Sequence, residues 1–336
     1  MSGGVGAGRI DRPAATADIL DPPIALGRRF LVFVDTEEEF DWTQPRRRDA
    51  TATTAVAALP TAHRYLAGHG IAPTYLVDYP VASDPAAVAV LRPLLEAGEC
   101  VIGAQLHPWV NPPHDEALTV ANSFVGNLPE ATERAKLAAL TDRIAAAFGV
   151  RPYIYRAGRY GVGAASARLL EEAGYRLDVS VRALFDYSAE GGPDFSRHGI
   201  APCRIGAARR LLELPLTSTY VGVARRAGAW LYPATGRIRF ARGLLSRSGL
   251  LNRVSLTPEG TPLPDALRAI RTLLDDGCSL LSISFHSPSV EPGHTPYVRT
   301  NADLRAVYAW WDGVLGLLAR EKVAPIGADA LIAALS

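Results

Sequence analysis

The chain has little cysteine, no surplus of charge of either sign and no long apolar run, and each lack removes a class of protein. Cys100, Cys203 and Cys278 are odd in number, far apart and in no paired motif. Neither a disulfide framework nor a thiolate zinc site is indicated, and a reducing compartment fits. Lys plus Arg total 35 against 34 for Asp plus Glu, so no net field draws the chain to nucleic acid or to an anionic membrane. The short basic run Arg46, Arg47 and Arg48 reads as a solvated loop. No apolar stretch approaches the roughly 20 residues needed to span a bilayer, and the first 29 residues hold no apolar core of signal-peptide length. The expectation is a cytoplasmic protein with no membrane span.

What is present is a globular composition, 48% hydrophobic and 21% charged over 336 residues, with an alternation of strand and helix patterns. The apolar run FLVFV (30–34) has the character of a strand buried on both faces. A helix interrupted or kinked at Pro60 (51–68) follows, then a strand (73–79), a helix (85–97) ended by Gly98, and the strand CVIGAQL (100–106). Residues 107–129, with four prolines and no period, read as a long functional loop. Helix 130–148, strand 152–156, helix 162–173 and strand 176–181 continue the alternation. Residues 182–210 read as an insertion or short hairpin. A strand (211–216), helices (237–249 and 263–275), the strand SLLSISF (279–285) and a helix (302–320) complete seven or eight βα units, the number that closes a barrel. No repeat or compositional break divides the chain. One α/β domain over 30–336 is expected, preceded by a flexible arm over 1–29.

Four segments carry candidate chemistry. In VDTEEEFDW (34–42) a buried strand runs into acids, and extended geometry points Asp35 and Glu37 the same way, so they can converge on one metal ion or divide the roles of base and ligand; an acidic surface turn is the alternative. IGAQLHPWVNPP (102–113) places Gln105, His107 and Trp109 on one face. His107 is a candidate ligand or base, and Trp109 offers a platform of the kind on which sugar rings stack; a structural His beside a core Trp is the alternative. In YRAGRYGVG (155–163) Arg156 ends a strand, its guanidinium fork able to orient Asp35 or hold an anion, and Tyr160 follows in a glycine-rich turn toward the substrate side. SISFHSPSVEPGHTPYV (282–298) delivers His286 at a strand end, then Glu291 and His294 in a rigid loop. Ionisable residues at the ends of four strands weigh more together than any one alone.

In this order, the acidic strand end, Gly-Ala-Gln-Leu-His-Pro-Trp, Arg-Ala-Gly-Arg-Tyr and Phe-His-Ser resemble the successive motifs of the polysaccharide deacetylases, the NodB-homology or carbohydrate esterase 4 family. The likeness covers residues 30 to about 290. It implies a distorted (β/α)7 barrel that removes acetyl from N-acetylated sugars or glycan precursors, using a divalent metal, zinc foremost. By the same resemblance Asp35 is the general base, Glu37 and His107 are metal ligands, Arg156 orients the base and His286 protonates the departing amine, with Asp178 near a further motif. The chain departs from the family where two His four residues apart are usual, since Gln105 and Trp109 stand there, and His114 or His294 would have to supply a further ligand. Two other readings stay open: a metal-independent amidohydrolase, and a carbohydrate-binding pseudoenzyme that kept the Trp-lined cleft.

Overall fold

The computed structural model describes residues 8–41, 44–236 and 240–336. Strand β1 (Arg29–Thr36) buries seven of its eight residues, and a strand apolar on both faces must be covered on both. It lies parallel between β2 (Thr74–Val77) and β10 (Leu280–His286). The sheet continues through β3 (Val101–Leu106), β4 (Ile154–Ala157), β5 (Leu177–Asp178), β7 (Leu211–Glu213) and β6 (Cys203–Ile205), and β11 (Ala324–Pro325) adds to the start of β1. All pairings are parallel except β6 with β7. Helices α1 (Leu59–Ala67), α2 (Tyr79–Ser83), α3 (Pro85–Glu96), α4 (Glu130–Phe148), α5 (Ser166–Glu172), α8 (Leu263–Asp275) and α9 (Asn301–Arg320) occur between or after the strands. This is the expected α/β architecture, a distorted (β/α) barrel.

The ladder does not close into a full barrel, because β10 and β6 are its two ends. Side chains bridge the gap instead. The Thr217 amide donates to Ser282 Oγ (2.9 Å) and the Ser282 amide to Thr217 Oγ1 (2.8 Å), and the Ser284 amide donates to the Leu256 carbonyl. Between these contacts the chain makes a separate antiparallel pair, β8 (Ser218–Val221) with β9 (Asn252–Ser255), carrying α6 (Gly228–Thr235) and α7 (Ala241–Arg247) between its strands. Hydroxyl residues at 217, 218, 282 and 284 break the apolar pattern that a continuous ladder would have, which is why strand counting overestimates closure.

Alternation along the strands makes two cores. Phe30, Val32 and Val34 face outward to the helices with Ile102, Tyr155 and Ile283. Leu31, Phe33, Ile154, Leu177 and Leu280 face inward. The inner core is sealed at the N-terminal ends of the strands by α10 (Ala328–Leu335), whose Leu331, Ile332 and Leu335 join it. Further along the same inward positions the residues become polar: Leu31 and Phe33 lead to Asp35, Ile154 to Arg156, and Leu280 through Ser282 and Ser284 to His286. The fold is thus apolar at one end and ionisable at the other.

Three segments differ from the sequence expectation. Pro60 lies in the first turn of α1, a position that needs no amide hydrogen, so it starts the helix and does not kink it. The helix expected at 237–249 is observed as α7 from Ala241, residues 237–239 lying outside the described residues, and α6 precedes it unanticipated. Of the expected arm, residues 1–7 also lie outside the described residues. Residues 8–28 lie along the β6 side, with Ile10 1% exposed, the Gly206 amide donating to the Gly8 carbonyl and the Leu20 amide to the Pro202 carbonyl.

The loop 107–129 is tied to the turn after β4 by backbone contact. The Gly126 amide donates to the Gly161 carbonyl at 2.7 Å, and a Cβ at Gly126 would fall on the backbone of Gly163. Gly126→Ala is expected to destabilise the protein by about 1–3 kcal/mol through this overpacking, whereas Gly199→Ala, which meets nothing within 4 Å, should stay within about 0.5 kcal/mol of wild type. Urea unfolding of the two variants checks the contrast.

Candidate active site

Strand register brings the candidate residues together. Asp35 pairs with His286 across β1 and β10, and Gln105 with Arg156 across β3 and β4. All four stand at C-terminal strand ends, around a cavity of about 240 Å³ whose wall also carries Glu37, His107, Trp109 and Tyr160. Asp35, Glu37, Gln105, His107, Trp109, Arg156, Tyr160 and His286 therefore line one space.

One half of the site is a chain of charges. Arg156 is fully buried, donates Nε–H to the Val179 carbonyl (3.1 Å) and Nη1–H to Asp35 Oδ1, and lies over the Phe33 ring. Asp35 Oδ2 is 3.5 Å from His286 Nε2. His286 Nδ1 lies 2.6 Å from Glu259 Oε2, and its amide and the Ser289 hydroxyl both donate to Glu259 Oε1. Burial works to lower the His286 pKa, but Glu259, Glu37 and Asp35 together outweigh it and raise it to about 10. Burial likewise works to raise the Glu259 pKa, yet His286 and the three donated hydrogens hold it below the usual carboxylate range. His286 is thus a cation at neutral pH, hydrogen-bonded on one ring nitrogen and directed at Asp35 with the other.

The other half is organised by His107. Burial lowers its pKa, so the ring is neutral, and Nδ1 lies 2.7 Å from Glu38 Oε2. With Glu38 ionised the ring proton sits on Nδ1, which leaves the Nε2 lone pair toward the cavity, 3.5 Å from Glu37 Oε2. Glu38 Oε1 accepts the indole N–H of Trp109 at 2.7 Å. The Glu38 amide and the Val81 amide both donate to Asp78, the residue that caps α2. Burial, with repulsion from Glu37, pushes Glu38 up to about 8 against its hydrogen bond with Asp78, and burial and Glu38 push Asp78 well above its ordinary range. Glu38, Asp78 and His107 offer ligand atoms all within 4.8 Å of one another, a buried group that could hold a metal ion. On the cavity side, Gln105 donates to Glu37 Oε2 at 3.2 Å, and burial pushes the Glu37 carboxyl up to about 7.

Trp109, expected to offer a platform to a sugar, lines the cavity but is stacked on His107 with ring centroids 4.4 Å apart. Tyr160 reaches the cavity from an unusual turn: Arg159 and Tyr160 both have positive φ, 55° and 61°, a conformation that costs energy for side chains of this size and clusters at functional sites. Gly158 before them is required, because a Cβ there would strike His107 Cδ2 and the Leu106 carbonyl. The buried ammonium of Lys136 donates to the carbonyls of Pro108 (2.9 Å), Asn111 (2.7 Å) and Pro113 (2.5 Å), pinning the loop that follows His107.

No family model matches the chain and no curated protein does, but solved structures match it over nearly all its length. A Mycobacterium smegmatis protein described as a polysaccharide deacetylase is 19% identical, with 94% of this chain and 96% of that one covered and a TM-score of 0.50. Puue allantoinase is 13% identical, with 91% and 88% covered and a TM-score of 0.53. The chain has the polysaccharide deacetylase fold.

Against the deacetylase motif pattern, His294 Nδ1 pairs with Glu39 (3.0 Å), and neither His294 nor His114 is among the cavity-lining residues. Asp178 is buried with Glu213 and accepts from the Ser180 amide and hydroxyl. Sequence reasoning missed Glu259, Asp78 and Arg182. Asp78 had a signal, an acid ending a strand two residues before a proline; Glu259, in a turn between Pro258 and Gly260, had none.

The His286–Glu259 pair generates a pH prediction. A histidine whose folded pKa is raised contributes stability that is complete below its ordinary value of 6.5 and is lost as pH climbs toward about 10. Glu259→Gln should therefore destabilise more at pH 6 than at pH 10 by urea unfolding. The His286 ring, followed by NMR titration, should lose its proton at least about one pH unit lower in the variant.

Proposed function

We propose that the chain is a metal-dependent hydrolase that removes an N-acetyl group from an amino-sugar-containing glycan or glycan precursor. The observation that carries this reading is Asp35 held between Arg156 and His286 across a cavity from the open Nε2 of His107. The residues present fit a cation: Glu37 Oε1 and Gln105 Oε1 are buried without a hydrogen-bond partner, beside that lone pair. Glu37, His107 and Gln105 would hold the ion, with Glu38 fixing the ring as an orienting carboxylate typically does for a ligating histidine. The imidazole and carboxylate suit zinc, and the carboxamide oxygen, a harder donor, equally admits manganese. We place the ion on this side and not between Glu38 and Asp78, because those groups are already hydrogen-bonded and are closed off from the cavity. An ion so held supplies a Lewis acid and lowers the pKa of water.

The chain's own residues do the rest. Asp35, fixed by Arg156, takes the proton of the attacking water. As the carbon–nitrogen bond of the tetrahedral adduct breaks, His286 gives its proton to the departing amine, leaving acetate and a free amino sugar. Acid and base assistance of this kind contributes about 10²–10⁴ in rate. Leu216 and Leu256 on the cavity wall give the acetyl methyl an apolar surface. The three unpaired cysteines accord with a reducing compartment and hence a cytoplasmic precursor as substrate. Among the described residues no helix is long and apolar enough to cross a membrane.

A second reading, metal-independent amide hydrolysis, draws on the Glu37 carboxyl, which burial pushes up to about 7, the range that suits an unaided general base near neutral pH. Metal content by plasma emission spectrometry, on protein purified without chelator or His tag, separates the two. Near-stoichiometric metal lost in Glu37→Gln and kept in Asp78→Asn is expected. Loss in Asp78→Asn alone would move the ion to the far side of His107, and metal-free protein whose turnover survives a chelator would establish the second reading. Asp35→Asn should lower kcat by about 10²–10⁴ with an unchanged circular dichroism spectrum; full activity would remove Asp35 from the mechanism.

A further inference from the structure

Among the described residues, three arginines besides Arg156 line the cavity: Arg46, Arg159 and Arg182. Arg159 is committed, ion-paired with Glu190, hydrogen-bonded to Ser123 Oγ (2.5 Å) and set 4.0 Å over the Phe124 ring. Arg46 and Arg182 are not. Among the described residues no carboxylate lies within 4 Å of either, the cavity acids Asp35, Glu37 and Glu259 being engaged with Arg156, His107 and His286. Arg46 Nε is buried without a hydrogen-bond partner, its guanidinium 5.2 Å from the centre of the Trp109 ring. Arg182 has only long contacts, Nη1 to the Tyr187 hydroxyl at 3.3 Å and Nη2 to Ser255 Oγ at 3.4 Å, and sits 3.9 Å over Phe185 and 5.3 Å from the Tyr160 ring.

Desolvating a cation without a counter-charge is costly, and a ring face recovers only part of that cost. Burial, followed by repulsion from Arg159, lowers the Arg46 pKa to about 10 against the attraction of Glu190 and Glu38; for Arg182 burial works the same way but is outweighed by the Tyr187 and Tyr160 hydroxyls, which raise it. A ligand oxyanion would supply the missing partner, since a guanidinium fork matches phosphate and carboxylate oxygens. Position fixes orientation as well. An anion is repelled by Asp35 and Glu37, so it belongs at the arginines while the acetamide faces Asp35 and His286.

We infer that Arg46 and Arg182 form an oxyanion subsite, and that the substrate is an acetamido sugar bearing a phosphate or carboxylate group. The acetamide half of this statement rests on the deacetylase reading; the oxyanion half does not.

Isothermal titration tests it on Asp35→Asn protein, so that turnover does not interfere, with N-acetylglucosamine, N-acetylglucosamine 1-phosphate and N-acetylmuramic acid. At least one anionic sugar should bind about tenfold or more tighter than the neutral one, and which one does so distinguishes phosphate from carboxylate. Adding Arg182→Gln should cut that preference to within about threefold, with Arg182→Lys retaining part of it. If Arg182→Gln fails to fold, Arg46→Gln, on a partly exposed loop, carries the test. Equal binding of all three sugars, binding of none, or a preference that survives both Gln variants overturns the subsite. Acetate release by the wild type separates the two claims: arginine-dependent binding of anionic sugars without acetate keeps the subsite and sinks the deacetylase reading. Release from neutral sugar as fast as from anionic sugar does the reverse.

Discussion

The ion pair between Arg156 and Asp35 is the constraint on which the site depends. Arg156 is fully buried, and its guanidinium crosses the inner face from β4 to β1. Removing either partner of such a pair strands a charge in the interior, typically at about 3–5 kcal/mol. The fold accepts this liability at one level only, where the inward positions change from Leu31, Phe33 and Ile154 to Asp35 and Arg156. Below it the interior is aliphatic and plugged by α10. Above it two relays hold the acids and the histidines, from Glu259 through His286 to Asp35 on one wall and from Asp78 through Glu38 to His107 on the other.

These two relays differ in what they do to a histidine. Glu259 keeps His286 protonated, because several carboxylates surround a ring that remains one-fifth exposed. Glu38 does not do the same for His107, because that carboxyl is itself fully buried, shares its surroundings with Asp78 and accepts a hydrogen from Trp109. The same pair of residue types thus gives a cation in one case and an oriented neutral ring in the other. On the proposed reading an acid and a ligand then work in one cavity at one pH, the division of roles by environment that acid–base sites rely on.

The legible part of this architecture was periodic. Alternation in FLVFVD placed Asp35 inward, and strand ends at Gln105, Arg156 and His286 told which residues would share a rim, because parallel strands in one sheet end on one side. What was illegible came from residues that no period governs. Glu259 reaches His286 from a turn after β9, Arg182 enters the cavity from a segment that reads as an insertion, and Trp109 looked free because a sequence cannot show that His107 would stack on it. Incomplete closure was hidden for a related reason. The bridging pair Thr217 and Ser282 joins the segment after β7 to β10 through hydroxyls, and a hydroxyl residue in a strand gives no sign of whether its partner is backbone or side chain.

Trp109 and Gln105 stand where the resemblance calls for two histidines, and the geometry shows what each exchange does. Trp109 can only donate, and its donation to Glu38 helps keep that carboxyl an acceptor toward His107 Nδ1, which is the condition for an open lone pair on Nε2. Gln105 keeps an oxygen free near Glu37 while its amide nitrogen steadies the carboxylate. A carboxamide oxygen is a weaker and harder donor than imidazole, so a cation held here would lean more on the charge of Glu37 than in a site with two imidazoles. That charge is the quantity burial works against, since the carboxyl reaches only about 7 before it takes up a proton, and a bound cation would reverse the balance by favouring the ionised form. At the proposed site, occupancy and ionisation of Glu37 would therefore be one linked equilibrium.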